Sequence, residues 1–127
     1  MKFQPDRAED VNLITRHDPD RVWVGASGYA HSVLVPWQGV VQAWPARTPG
    51  ELQPAHFEQL LALRPELVVF GSGTRLRFLP PALYRALIEA RVGMETMDTA
   101  AACRTYNVLA GEGRAVVAAL LLEAGDL

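Results

Sequence analysis

The run PELVVFG, Pro65 to Gly71, constrains this fold more than any other stretch of the chain. Leu67, Val68, Val69 and Phe70 follow one another without polar alternation between a proline and a glycine. A half-exposed strand alternates; an unbroken apolar run marks a strand covered on both faces, lying mid-sheet. The next stretch fixes the setting. PPALYRALIEARVG puts Leu83, Leu87 and Ala90 on one helical stripe, entered through prolines and left through glycine. VGMETMD then supplies a second short strand. Strand 66–70, helix 81–91 and strand 93–97 predict a βαβ unit, whose strands are parallel and whose crossover is right-handed in nearly every known case.

Upstream, VNLITRH, RVWVGA, YAHSVLVPW and GVVQAW are rich in valine and aromatics and are separated by DPD, SG and QG, the pattern of an antiparallel meander. The Asp18-Pro19-Asp20 turn suits a tight connection, because Pro19 presets its backbone angle and the aspartates bond back to local amides. Trp23, Trp37 and Trp44 are assigned to the gap between sheet and helices rather than to a stacking platform. Phe57, Leu60, Leu61 and Arg64 are spaced as a short helix between Pro54 and Pro65. TAAACRTYNVLAGEGRAVVAALLLEAG reads as helical, divided at Gly111 and Gly113. Its tail helix is apolar nearly all round, either buried on the sheet or part of a subunit contact. A chain of 127 residues has room for one core. The expected fold is α/β, a single domain over 1–127: a mixed sheet with an N-terminal antiparallel meander and a C-terminal parallel βαβ unit, helices packed on the sheet.

Parallel strands share an end, so the loop starting at Gly71 and the loop at Asp98 and Thr99 both emerge at the carboxyl edge, where open α/β sheets bind ligands. Gly71 and Gly73 leave amides uncovered and permit positive φ, so Gly71, Ser72, Gly73 and Thr74 can form a concave anion nest. The helix starting near Thr99 adds unpaired amides and a partial positive charge. Arg75 and Arg77 alternate with Leu76 and Phe78 and can point the same way, with Arg75 or Arg104 as counter-charge. GSGT stays open to a second reading, a plain turn of small residues. A dinucleotide fingerprint fails, because Leu76 stands where a small residue is needed and prolines delay the helix. A P-loop fails too, since the only lysine is Lys2. Asp98 imitates a ribose-binding acid but serves equally as an N-cap.

Composition removes other classes. The net charge of −2 gives no footprint for nucleic acid. A single cysteine, Cys103, excludes an intramolecular disulfide. It is assigned to the core rather than to catalysis, because it lies beyond the first turn of its helix and its thiolate gains little from the dipole. His17, His31 and His56 lack HxH or HxxxH spacing, so no metal, cofactor or catalytic residue is expected. Arg104 and Asn107 are assigned first to a structural hydrogen-bond network around the glycine break and second to a polar wall of the crevice. The start, MKFQPDRAED, has no apolar core for a secretory signal and carries acids that mitochondrial presequences avoid. The run Ala115 to Leu122 is well short of the roughly 20 residues a membrane span needs. A cytoplasmic location is expected.

Taken together, VVFGSGTRLRFLP and MDTAAACRTYNVLAGEGRAVVAALL resemble a family of small proteins of largely unknown function. The family includes archaeal and bacterial stand-alone proteins, an animal adipogenesis-associated protein and mitochondrial complex I assembly factor three. The resemblance covers nearly the whole chain. Gly71, Gly73 and Thr74 match the family's glycine–threonine loop, with Ser72 where a threonine is frequent; Thr99, Cys103, Arg104, Asn107, Glu112 and Arg114 match its helical motif. It implies a compact α/β fold and assigns no active site. The expected function is that of a non-enzymatic accessory or interaction protein with a protein partner, of bacterial type, assisting assembly of a respiratory or other complex. The alternative is a small anionic ligand bound between the Gly71–Thr74 loop and the Thr99 helix, with Asp98, Arg104 and Asn107 beside it.

Overall fold

In the computed structural model, which describes residues 10–123, the N-terminal strands divide between two sheets. Strands β1 (Ile14–Asp18), β2 (Arg21–Val24) and β3 (Ser27–Tyr29) pair antiparallel in that order as a small sheet of their own. The Asp18-Pro19-Asp20 turn joins the first two, with Asp18 opposite Arg21. The chain then leaves this sheet. Strands β4 (Val33–Pro36) and β5 (Gln42–Ala43) begin a second, five-stranded sheet, completed by β6 (Leu67–Gly71), β7 (Gly93–Met97) and β8 (Val116–Leu120) in the order β5-β4-β8-β6-β7. The sheet is mixed: β6 runs parallel to both β7 and β8, while β4 is antiparallel to β5 and β8. The α/β class, the mid-sheet place of the PELVVFG strand and the parallel βαβ unit are as expected. The amino-terminal stretch read for targeting signals lies, apart from Asp10, outside the described residues.

The tail corrects the sequence reading. Residues 116–120 form no helix; they are a strand inserted between β4 and β6, with all five side chains buried. An apolar run of this length has the same composition in a buried strand as in a buried helix, and periodicity cannot separate them. Topology decides. Val116, Ala118 and Leu120 enter the core on one face of the sheet, and Val117, Ala119 and Leu121 the core on the other. With a layer on each side, alternation has no reason to appear in the sequence.

Three helices cover the main sheet. Helix α1 (Pro54–Leu61) starts on Pro54, and His56 Nδ1 accepts the Gln53 amide at 3.0 Å. Its end is marked by Arg64 at φ 53°, so Arg64 falls outside the helix that its spacing suggested. The expected helix 81–91 is shorter and in two parts, a 3₁₀ turn (Pro81–Tyr84) and then α2 (Arg85–Glu89). Pro80 and Pro81 stand at its entry, where their missing amides cost nothing. Ala90 lies beyond the helix and exposed. Helix α3 (Thr99–Gly111) ends at Gly111, and Gly113 at φ 85° turns the chain into β8.

Between the sheet and α1 and α2, Trp44 is buried edge-on against Phe57 and Phe70, at 5.8 and 6.1 Å between ring centres. Helix α3 and the small sheet cover the opposite face. Trp37 packs there and donates to Ala110 O at 3.1 Å, so the packing role holds for two of the three tryptophans. Trp23 instead lies under the Arg16 and Arg21 guanidinium groups, 4.6 and 5.8 Å from its ring. The small sheet is stitched to α3 by Asn107, whose side chain takes the Ile14 amide at 2.8 Å and donates to the Ile14 carbonyl at 2.7 Å. The buried Tyr106 hydroxyl lies 2.7 Å from Asn12 O and 3.0 Å from Pro36 O, sharing one proton between two carbonyls.

Candidate functional site

The two loops predicted to meet do meet. At the carboxyl end of β6 the Ser72 amide donates to Met97 O, and the Thr99 amide donates to Gly73 O, each at 2.8 Å. Thr99 Oγ1 accepts from the Gly73 amide at 2.9 Å and donates to Leu121 O at 2.8 Å, so one buried hydroxyl ties together the glycine loop, α3 and the end of β8. Gly71 permits this approach. A Cβ there would lie 2.9 Å from Thr99 Cα, inside any real Cβ contact.

Around this junction lies a cleft of about 330 Å³, at the lower end of the roughly 300–1,000 Å³ usual for ligand pockets. Gly73, Thr74, Asp98, Thr99 and Ala100 line it together with Leu121, Glu123 and, from the β1–β2 connection, His17, Asp18 and Pro19. Of the residues singled out in the sequence, Gly73, Thr74, Asp98 and Thr99 line it. Gly71 and Ser72 are buried outside its lining; the Ser72 hydroxyl donates to Arg75 O at 2.7 Å and accepts the Arg77 amide at 3.0 Å. Arg75 and Arg104 are exposed and do not line the cleft, and Asn107 is engaged with Ile14. Asp98 is the N-cap of α3, its Oδ1 accepting the Ala101 amide at 2.9 Å.

The anion nest needs correction. The amides it would offer are taken by the protein's own groups: Glu123 Oε1 accepts from the Thr74 amide, the Thr74 hydroxyl and Arg77 Nη2 at 3.0, 3.1 and 3.0 Å. Glu123 Oε2 lies 2.7 Å from Arg77 Nη1. An internal carboxylate thus occupies the place assigned to a ligand anion, and Arg77, not Arg75, is the counter-charge. The signal for Glu123 was present. It stands three residues past a strand parallel to β6, so it arrives at the same sheet edge as the glycine loop; reading the tail as a helix hid this. The sequence marked Asp18-Pro19-Asp20 as a turn, but nothing in it placed His17, Asp18 and Pro19 at this cleft.

Two ionisable groups respond to these surroundings. Burial alone would raise the Glu123 carboxyl, but the Arg77 and Thr74 bonds outweigh it and hold the carboxyl below its ordinary value. A lowered folded value contributes stability that is complete above the unfolded pKa, about 4.3, and is lost as pH falls through the folded value. Glu123→Gln is therefore expected to flatten the acid limb of the stability–pH curve below about pH 4.3. Denaturant midpoints measured from pH 7 down to 3 check it. Glu66, bonded to the Ala115 amide and Arg114, shifts in the same direction and remains in both proteins. Cys103 is buried in the core, and burial pushes its thiol up to about 12. The thiolate is the nucleophile that attacks iodoacetamide and displaces iodide. The folded protein is expected to alkylate slowly near neutral pH and the denatured chain quickly; equal rates would contradict this burial.

The cleft thus gathers carboxylates, one imidazole, hydroxyls and apolar side chains, and among the described residues neither lysine nor arginine lines it. Among the described residues, no three His, Cys, Asp or Glu side chains converge as a metal site, and no helix is long and apolar enough to cross a membrane.

Comparison with known proteins shows the family and the fold. Residues 14–121 match the family described as "Protein of unknown function (DUF498/DUF598)". The bovine protein named NADH dehydrogenase [ubiquinone] 1 alpha subcomplex assembly factor 3 is 37% identical over 124 residues, an alignment that covers 87% of this chain and 66% of that relative. A Bordetella parapertussis protein solved by crystallography superposes with a TM-score of 0.83 at 36% identity, over 88% of this chain and 96% of its own. A solution structure from Bordetella pertussis, described as a Mth938-like domain, gives 0.80 at 30% identity, over 100% of this chain and 96% of its own.

Proposed function

This chain belongs to the DUF498/DUF598 family, and from that premise we propose that it is a non-enzymatic accessory protein that docks on a protein partner during assembly of a respiratory complex of the NADH dehydrogenase type. The observation that carries this reading is the turn beyond the cleft. Leu76 and Phe78, two and four residues past the cleft-lining Thr74, are 51% and 75% exposed, while Leu79 between Phe78 and the 3₁₀ turn is buried. Covering a side chain such as Phe or Leu contributes about 1.5–3 kcal/mol. Two such side chains, close in sequence to a concave site, suit a surface that a partner covers. The bovine relative's name supports the kind of partner, and the part of that relative left unmatched makes the whole protein's role a proposal for this chain. The closed nest and the buried thiol favour docking over chemistry in the cleft.

Deleting the gene in its own host should lower the amount of assembled NADH dehydrogenase seen as activity on native gels. A plasmid copy should restore it, and a Leu76→Ser, Phe78→Ser copy that folds normally should not. An unchanged level of assembled enzyme in the deletion strain would reject this function.

A further inference from the structure

We infer that the cleft receives a basic side chain, arginine or lysine, from an extended segment of the partner protein; this rests on the docking reading above and names the chemistry of the contact. The starting point is charge. Asp18, Asp98 and Glu123 line the cleft, and among the described residues its lining holds no lysine or arginine. Glu123 is neutralised by Arg77 at 2.7 Å. Asp18 has only a long contact to Arg16, 3.7 Å between side chains that are 43% and 68% exposed, and such exposed pairs hold little charge in place. Asp98 spends Oδ1 on its cap, and the amino end of α3 supplies about half a positive charge against its full negative one. Among the described residues the balance inside the cleft is negative.

Shape and surroundings agree with a side chain in preference to a bare ion. The cleft is about 330 Å³ and carries Leu121, Pro19 and Ala100 among its charged groups, so an alkyl stem has apolar surface to lie on while its cationic head meets carboxylates. His17 also lines the cleft. The exposed Leu76 and Phe78 stand two and four residues past Thr74 in the chain, offering an apolar surface to residues that flank the basic one. The sequence pointed to an anion here; the internal carboxylate reverses the sign of what the site accepts.

The test is an amide NMR titration of the whole chain with N-acetyl-arginine methylamide and with its glutamate counterpart. Saturable shifts at Gly73, Thr74 and Ala100 are expected with the arginine probe and none with the glutamate probe. Asp18→Asn and Asp98→Asn, the second of which keeps a capping oxygen, should each weaken the arginine probe about 2- to 5-fold, as loss of one partly exposed ion pair does. Equal shifts with both probes, no shifts at millimolar arginine probe, or affinity unchanged in both variants would overturn the inference. If the probe binds as expected while gene deletion leaves NADH dehydrogenase intact, the cleft's chemistry stands and the respiratory assignment falls.

Discussion

Thr99→Val should lower the unfolding free energy by about 2–4 kcal/mol, since two buried backbone groups lose their partner at about 1–3 kcal/mol each. Those groups are the Gly73 amide and the Leu121 carbonyl, both held by the single Thr99 hydroxyl in a side chain 8% exposed. Valine keeps the shape and removes only the hydrogen bonds. The helix cap itself stays intact, because Asp98 provides it; a loss typical of one cap, about 1 kcal/mol, would therefore be too small. Urea unfolding of both proteins measures the difference. An unchanged midpoint would mean that the hydroxyl does not bridge the three segments.

Gly71→Val is expected to cost about 3 kcal/mol, the upper range for overpacking a closed site. Gly71 needs no positive φ; the constraint is space, since a Cβ would stand 2.9 Å from Thr99 Cα and 3.2 Å from Ala102 Cβ. Thr99 Cα is backbone and cannot swing aside like the end of a flexible side chain. Helix α3 would have to move off the end of β6, breaking the bonds from the Ser72 and Thr99 amides that seal the junction. The same unfolding measurement checks it, and a variant as stable as the parent would show that the close approach of loop and helix is not part of the fold.

The βαβ core was legible because each element carries its own punctuation: Pro65 before β6, Gly71 at its end, two prolines before α2, Gly93 at the start of β7. From that unit alone, shared strand ends bring the glycine loop to Thr99, and they do. What stayed hidden depended on partners distant in sequence. The strand 116–120 is apolar throughout because both of its faces are covered, so nothing in its own pattern separates it from a helix. With β8 misread, Glu123 could not be placed beside Thr74, and the amides it occupies were taken as free. Asn107 shows the same limit at the other end of α3. Its polar character was noticed, but its partner, the Ile14 backbone 93 residues away, was not readable from the chain. Of the alternating Arg75 and Arg77, only Arg77 turns inward, because Ser72 holds the turn between them.

The most direct measurement of the central claim is to follow this protein through native gels while NADH dehydrogenase assembles after its synthesis is switched on. The account expects it to migrate with an incomplete form of the complex, to be absent from the finished enzyme, and to lose that association in the Leu76→Ser, Phe78→Ser variant. Migration with the finished enzyme, or with no form of it at any time, would contradict the account.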